Sequence, residues 1–282
     1  MTEENGMSPA VRVGDFYQWI REDWIAISAD AQGNSPGLLN FGFWQPGTSN
    51  LFEAQMAMYD RIIGWLDSLS PEWKGLEIGC GIGGTAVRLT AETGVGLTCL
   101  DLVGIQLDYA RKRAREAGVT DKVDFKQGDA MAMDLPDNHY DFSYSMESTF
   151  HYPDVPAFLR ENHRVLKPGA RGVIADITCE CPEAVMFREG NYFYGFDQMR
   201  NWLTAAGFEL VAVDRIGDLV FGPLYRFMCS MASGSDPKLR RFWRLVLKNY
   251  SELAAQGQMG YDIFVVRKGP AVHAAATSIR AE

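Results

Sequence analysis

The sequence predicts an α/β protein: a doubly wound, mostly parallel seven-stranded sheet with an antiparallel edge strand. Three observations predict it. Short apolar runs alternate with helical patterns from Gly75 onward, a glycine-rich turn closes the first run, and carboxylates follow the next two runs at Asp101 and Asp129. Strand–helix alternation implies parallel strands joined by right-handed crossovers, which bring every loop leaving a strand to one edge. At 282 residues the chain can bury a full core.

The elements follow in order. Phe16, Ile20 and Trp24 recur near helical spacing with Trp19 beside them, giving an aromatic amphipathic helix. A Gly/Pro/Asn-rich loop, "AQGNSPGLLNFGFWQPGTSN", leads to "LFEAQMAMYDRIIGWLDSL", a helix packing through Met56, Tyr59, Ile62, Ile63 and Leu66. After Pro71 the period changes. "GLEIG" precedes a helix over Gly84–Thr93, "GLTCLD" one over Ile105–Ala117, and "KVDFKQGD" leads to "YDFSYSM". A helix over Pro156–Leu166, "GARGVIADI", a helix over Phe196–Ala206 and "FELVAVD" come next. "YDIFVVRK" is the last strand, expected to pair antiparallel with "FELVAVD" at the sheet edge and close the domain.

Between these two strands the segment 216–260 contains "LRRFWRLVLKNYSEL", with Leu239, Phe242, Trp243, Val246, Leu247, Tyr250 and Leu253 in one stripe. Such a basic aromatic helix can lie on a membrane or grip an anion; here it is taken as a lid. The organisation expected is an N-terminal helical cover (1–70), an α/β core (71–215), the inserted helical lid (216–260), the final core strand (261–268) and a tail (269–282).

Composition narrows the function. Lys and Arg number 27 against 36 Asp and Glu, a net charge of −9, which argues against phosphate-dominated nucleic-acid binding. Cys179-Glu180-Cys181 lacks metal-ligand spacing and no second ligand pair completes a site, so no metal is expected and the five cysteines are taken as reduced thiols. The acidic, polar opening "MTEENGMSPA" does not read as a secretory signal, and no apolar run is long enough to span a bilayer. A cytoplasmic protein with a small-molecule substrate and no nucleic-acid or membrane partner is expected; a homo-oligomer is left open.

"LEIGCGIGG" satisfies two patterns. Gly79, Gly81 and Gly84 spell the turn of a dinucleotide fold, while Glu77, Gly79, Gly81 and Gly83 spell the acidic-x-G-x-G-x-G turn of S-adenosylmethionine (SAM) enzymes. In either case glycines permit a sharp turn and close ligand approach, and the next helix offers its positive end. Asp101 suits a ribose in both. Three features favour SAM. Glu77 stands where the dinucleotide motif needs no acid, Asp129 supplies a further carboxylate able to accept from an adenine amino group, and about 70 residues of helix precede the turn. A cationic ligand also suits an acidic lip better than a pyrophosphate does.

The chain here resembles the class I SAM-dependent methyltransferases, with their Rossmann-like sheet, and especially the branch acting on natural products and other small metabolites. The resemblance covers most of residues 38–177 and rests on "LNFGFW", "LEIGCGIGG", "LDL", "QGDAMAMDLPDNHYDFSYSMESTFHYPD" and "FLRENHRVLKPGARGVIAD". It implies Gly79, Gly81 and Gly83 against the methionine part, Asp101 on the ribose, Leu102 and Ala130 flanking the adenine, and Asp129 on its amino group. Glu77, Cys80, Gln106 and Met146 complete the implied cofactor set, although Cys80 suits a small apolar gap as well. "LNFGFW" fits a cofactor cover and an aromatic core equally. Ala170 departs from the family's glycine, with a structural cost expected.

Methyl transfer is an in-line displacement, and a hydroxyl acceptor also needs its proton removed. Of four histidines, His139 precedes a strand, His163 lies within a helix, and His273 is in the tail; His151 alone follows a strand on the cofactor side. Glu147 lies four residues earlier and would orient His151 if "MESTFHY" made a helical turn, giving a base dyad; lining the pocket is the other role open to His151. Tyr17, Trp44, Phe150, Tyr152, Tyr194, Phe221 and Tyr225 are the candidate substrate-binding residues, favouring an apolar or aromatic acceptor methylated at oxygen. Arg188, Arg226 and Lys238 leave open an isoprenoid diphosphate acceptor methylated at carbon, and the glycine turn leaves open a nicotinamide oxidoreductase.

Overall fold

The computed structural model describes residues 9–30, 33, 35–66, 68–188, 190–231 and 237–269. All but the first residue of the expected tail, His273 included, lies outside them, as do the first eight residues. Helices α1 (Pro9–Ile27) and α2 (Leu51–Ile63) precede the sheet. The Asn50 side chain caps α2 by accepting the Glu53 N–H at 2.9 Å. There follow β1 (Lys74–Ile78), α3 (Gly84–Thr93), β2 (Gly96–Asp101), α4 (Gly104–Glu116) and β3 (Val123–Gln127). Then come β4 (Tyr140–Met146), α5 (Val155–Val165), β5 (Leu166–Cys179), α6 (Phe196–Ala205) and β6 (Phe208–Arg215). The chain continues through α7 (Phe221–Ser230) and α8 (Pro237–Ala255) to β7 (Met259–Lys268).

Seven strands form one sheet in the order β3-β2-β1-β4-β5-β7-β6. The chain winds outward from β1 to β3 and then jumps to β4 on β1's other side. A crevice therefore opens at the carboxyl ends of β1 and β4, the usual ligand position in such sheets. The expected antiparallel pair stands at this sheet edge: β7 pairs antiparallel with both β5 and β6, and β6 is outermost. Burial explains this. Tyr261 to Val266 of β7 are all buried, as a strand covered on both faces requires, whereas in β6 only Phe208 is buried and the rest is half-buried or exposed.

Two apolar layers cover the sheet. One joins α1, α2, α3, α4, α7 and α8 to one face through residues such as Trp24, Met58, Leu89, Leu107, Phe221 and Trp243. The other seats α5 and α6 on the opposite face through Phe158, Leu159, Met199 and Leu203. The α8 stripe turns inward: Leu239, Trp243, Val246, Leu247, Tyr250 and Leu253 are buried, and Phe242 is half-buried against Trp19 and Phe187. Among the described residues no helix is long and apolar enough to cross a membrane.

Candidate active site

A cavity of about 340 Å³ lies at the carboxyl ends of β1, β2 and β4, within the size range of small-molecule sites. The glycine turn forms its floor. Gly79 and Gly81 have φ of +75° and +51°, which residues with a Cβ rarely adopt. The N–H groups of Gly79 and Cys80 both donate to the Leu100 carbonyl, at 2.8 and 3.1 Å, tying the turn to β2. Asp101 fastens the same turn: its carboxylate accepts from Gly81 N–H at 2.7 Å and from Val103 N–H at 2.8 Å. One sequence-distant carboxylate thus holds two loops in register.

Glu77, Gly79, Cys80, Gly81, Asp101, Leu102, Gln106, Asp129, Ala130 and Met146 all border the cavity. Gly83 does not. It caps α3 with φ +75°, and a Cβ there would fall 2.6 Å from Ala110 Cβ, so its glycine is needed for α3 to approach α4. Leu39 and Asn40, the start of "LNFGFW", form a further wall, and the sequence reading missed Gly37 and Leu38 beside them, together with Ile82 and Thr85. No periodicity marked that segment. Its signal was the buried Gln55, whose Nε2 donates to the carbonyls of Leu38 (3.0 Å) and Asn40 (2.9 Å).

The site is electrostatically unbalanced. Burial, reinforced by the neighbouring Asp101 charge, pushes Glu77 up to about 8, and burial pushes Asp101 up to about 6. Among the described residues no lysine or arginine borders the cavity. Gln106 Oε1 and Asn40 Nδ2 are buried without a hydrogen-bond partner among the described residues. Two acids seeking a positive neighbour, with an unpaired acceptor and an unpaired donor on the same walls, fit a cationic ligand with polar edges.

The expected Glu147–His151 dyad is not formed. Glu147 leaves β4 with φ +50°, and only Thr149–His151 make a 3₁₀ turn, so the two residues share no helical face. The Glu147 carboxylate instead accepts the Phe41 N–H (2.9 and 3.2 Å) and the Tyr261 hydroxyl (3.0 Å), and burial pushes it up to about 8. His151 finds other partners. Its Nδ1 lies 3.2 Å from the Gly190 carbonyl, which can only accept, so Nδ1 carries the proton. Nε2 is then the acceptor for the Tyr17 hydroxyl at 3.0 Å. Burial pushes His151 down to about 4, leaving the ring neutral at pH 7. Asp176, unremarked in the sequence reading, braces this loop by accepting from Ser148 N–H (3.1 Å), Thr149 N–H (2.6 Å) and the Thr149 hydroxyl.

Of the expected substrate residues, Tyr17 and Tyr152 border the cavity. Trp44, Phe150, Tyr194, Phe221 and Tyr225 do not; they serve packing. Trp44 packs on Phe227, Phe150 stacks with Phe193, and Tyr194 bonds the Thr149 hydroxyl. Phe221 fills the core between Phe41, Tyr250 and Tyr261, and Tyr225 packs half-buried against the same core. Arg188, Arg226 and Lys238 also lie away from the cavity wall. Aromatic character alone did not separate lining from core, because the same side chains serve both.

Residues 76–174 match the methyltransferase-domain family. The chain is 35% identical over 167 residues to methyltransferase GfsG of Streptomyces halstedii, covering 58% of this chain and 57% of that protein. It is 35% identical over 138 residues to the 27-O-demethylrifamycin SV methyltransferase of Amycolatopsis mediterranei (strain S699), covering 49% and 50%. The chain thus spans about half the length of these curated relatives. The crystal structure of the [4+2]-cyclase SpnF aligns with a TM-score of 0.77 at 23% identity, over 93% of this chain and 97% of that one. That likeness shows a shared fold.

Proposed function

Residues 76–174 match a methyltransferase domain, and from that premise we propose that the chain is a class I SAM-dependent enzyme that methylates an oxygen of a small, largely apolar metabolite. Bound SAM supplies a methyl group already activated on a sulfonium. The chain's own residues do the rest. Glu77, Asp101 and Asp129 supply carboxyl groups to the rim, the Gly79–Gly81 turn lets backbone approach the ligand, and Gln106 offers an unpaired acceptor. His151 Nε2, kept unprotonated by the Nδ1–Gly190 bond, takes the acceptor's proton, with the acceptor hydroxyl replacing that of Tyr17. Closure under Tyr17 and the Gly37–Asn40 wall excludes water.

The observation that carries this reading is the part-buried His151 Nε2, 3.0 Å from the Tyr17 hydroxyl on the wall of the same cavity as the acidic cofactor rim. A cavity bordered by no lysine or arginine among the described residues favours an uncharged acceptor over an isoprenoid diphosphate. Methyl-labelled SAM, incubated with the purified protein and an extract of its source, tests the function. A labelled ether or ester is expected, and labelling at carbon would overturn oxygen as the acceptor. His151→Ala should lower kcat by about 10²- to 10⁴-fold while leaving the affinity for S-adenosylhomocysteine unchanged. Wild-type turnover across the pH range would remove His151 as the base. Thermal stabilisation by NADH and not by S-adenosylhomocysteine would point instead to an oxidoreductase.

A further inference from the structure

The segment from Gly37 to Trp44 runs beside the cavity without belonging to a strand, and buried side chains fix its course. Gln55 holds the carbonyls of Leu38 and Asn40, and Glu147 holds the Phe41 N–H. Between these anchors the Asn40 side chain is 3% exposed. Its Oδ1 accepts the Gly42 N–H at 3.0 Å, which sets the orientation of the amide and leaves Nδ2 as the other end. Nδ2 is buried with no partner among the described residues, on a residue that borders the cavity. A native fold rarely leaves a rigidly held donor unpaired unless something else accepts from it.

The segment faces the glycine turn. A Cβ on Gly84 would lie 2.2 Å from the Gly37 carbonyl oxygen, and one on Gly81 would lie 3.8 Å from Leu39 Cδ1. Gly37 and Leu39, just before Asn40, therefore adjoin the turn and the positive N-terminal end of α3. With Glu77 and Asp101 on the same walls and no lysine or arginine there among the described residues, an anionic group would be met by neutral donors.

We propose that the Asn40 amide is a recognition group for the carboxylate at the amino-acid end of the methyl donor. This rests on the cofactor reading above and adds a residue to it. Calorimetric titration of the whole chain with S-adenosylhomocysteine and with 5′-methylthioadenosine, which keeps the nucleoside and sulfur but lacks the amino-acid end, tests it. Asn40→Ala should weaken S-adenosylhomocysteine by about 10- to 100-fold and leave methylthioadenosine unchanged, which also shows that the variant is folded. Asn40→Asp should weaken the first ligand further, through like-charge repulsion.

An unchanged S-adenosylhomocysteine affinity in Asn40→Ala would overturn the proposal, and a rise only in KM for the methyl acceptor would reassign the amide to an acceptor oxygen. Equal weakening of both ligands would reduce Asn40 to a structural role. If the unaltered chain bound neither ligand, the cofactor reading itself would fall.

Discussion

Glu77 shows how one buried side chain couples ligand charge to pH. Desolvation holds it near 8 and Asp101 near 6 in the free protein, so both ionise progressively as pH rises from about 6 to 9. A sulfonium favours the ionised carboxylates and an uncharged thioether does not. The affinity of SAM relative to S-adenosylhomocysteine should therefore rise with pH across this window, and Glu77→Gln should flatten the rise. Calorimetry of both ligands at pH 6 and 9 measures it, and a ratio that fell with pH would contradict the assignment. At this scale the sequence was informative about carboxylates: Glu77, Asp101 and Asp129 each border the cavity. It was uninformative about pairing. Glu147 and His151 are four apart in sequence, but a positive φ at Glu147 sends the carboxylate toward Phe41 and Tyr261.

Elements show why a glycine pattern can be right while its members differ in purpose. Gly79 and Gly81 border the cavity, whereas Gly83 lets α3 pack on α4. Gly83→Ala would combine a positive φ with a Cβ 2.6 Å from Ala110, and should cost about 2–4 kcal/mol of unfolding free energy in urea titration. Unchanged stability would mean that the two helices can separate freely. Helix α8 gives the complementary lesson. Its aromatic stripe was legible from spacing, but the same spacing serves a lid, a membrane face or a core. The surroundings settle it: Trp243 lies 4.8 Å from Trp24 and 6.2 Å from Phe41, ring centre to ring centre.

Among the described residues five acids are buried at the carboxyl rim of the sheet or just beyond it, Asp262 lying opposite Asp176 and also raised chiefly by burial. Glu77 and Glu147 are pushed to about 8, and Asp101 and Asp176 to about 6, in every case chiefly by burial. Each folded-state value lies above the ordinary 4.5 or 3.8 of its type, so the native state binds more protons than the unfolded chain over that interval. Their contribution to stability is fully present below about pH 4. It is lost as pH rises through 6 and then 8. The Tm of the ligand-free protein should accordingly fall between pH 6 and 9, and less steeply in Glu147→Gln; a Tm that rose over this range would refute the assignment. Hydrophobic periodicity and turn chemistry by themselves determined the strand–helix alternation, the glycine turn and the acidic rim, because each is written in residues close together in the chain. Tertiary structure alone decided that β7 lies inside β6, that Gln55 anchors the Leu38–Asn40 wall, and that His151 answers to Tyr17 and Gly190. Those outcomes depend on which distant groups meet after burial, and a buried donor or acceptor takes whichever partner the packing brings within reach.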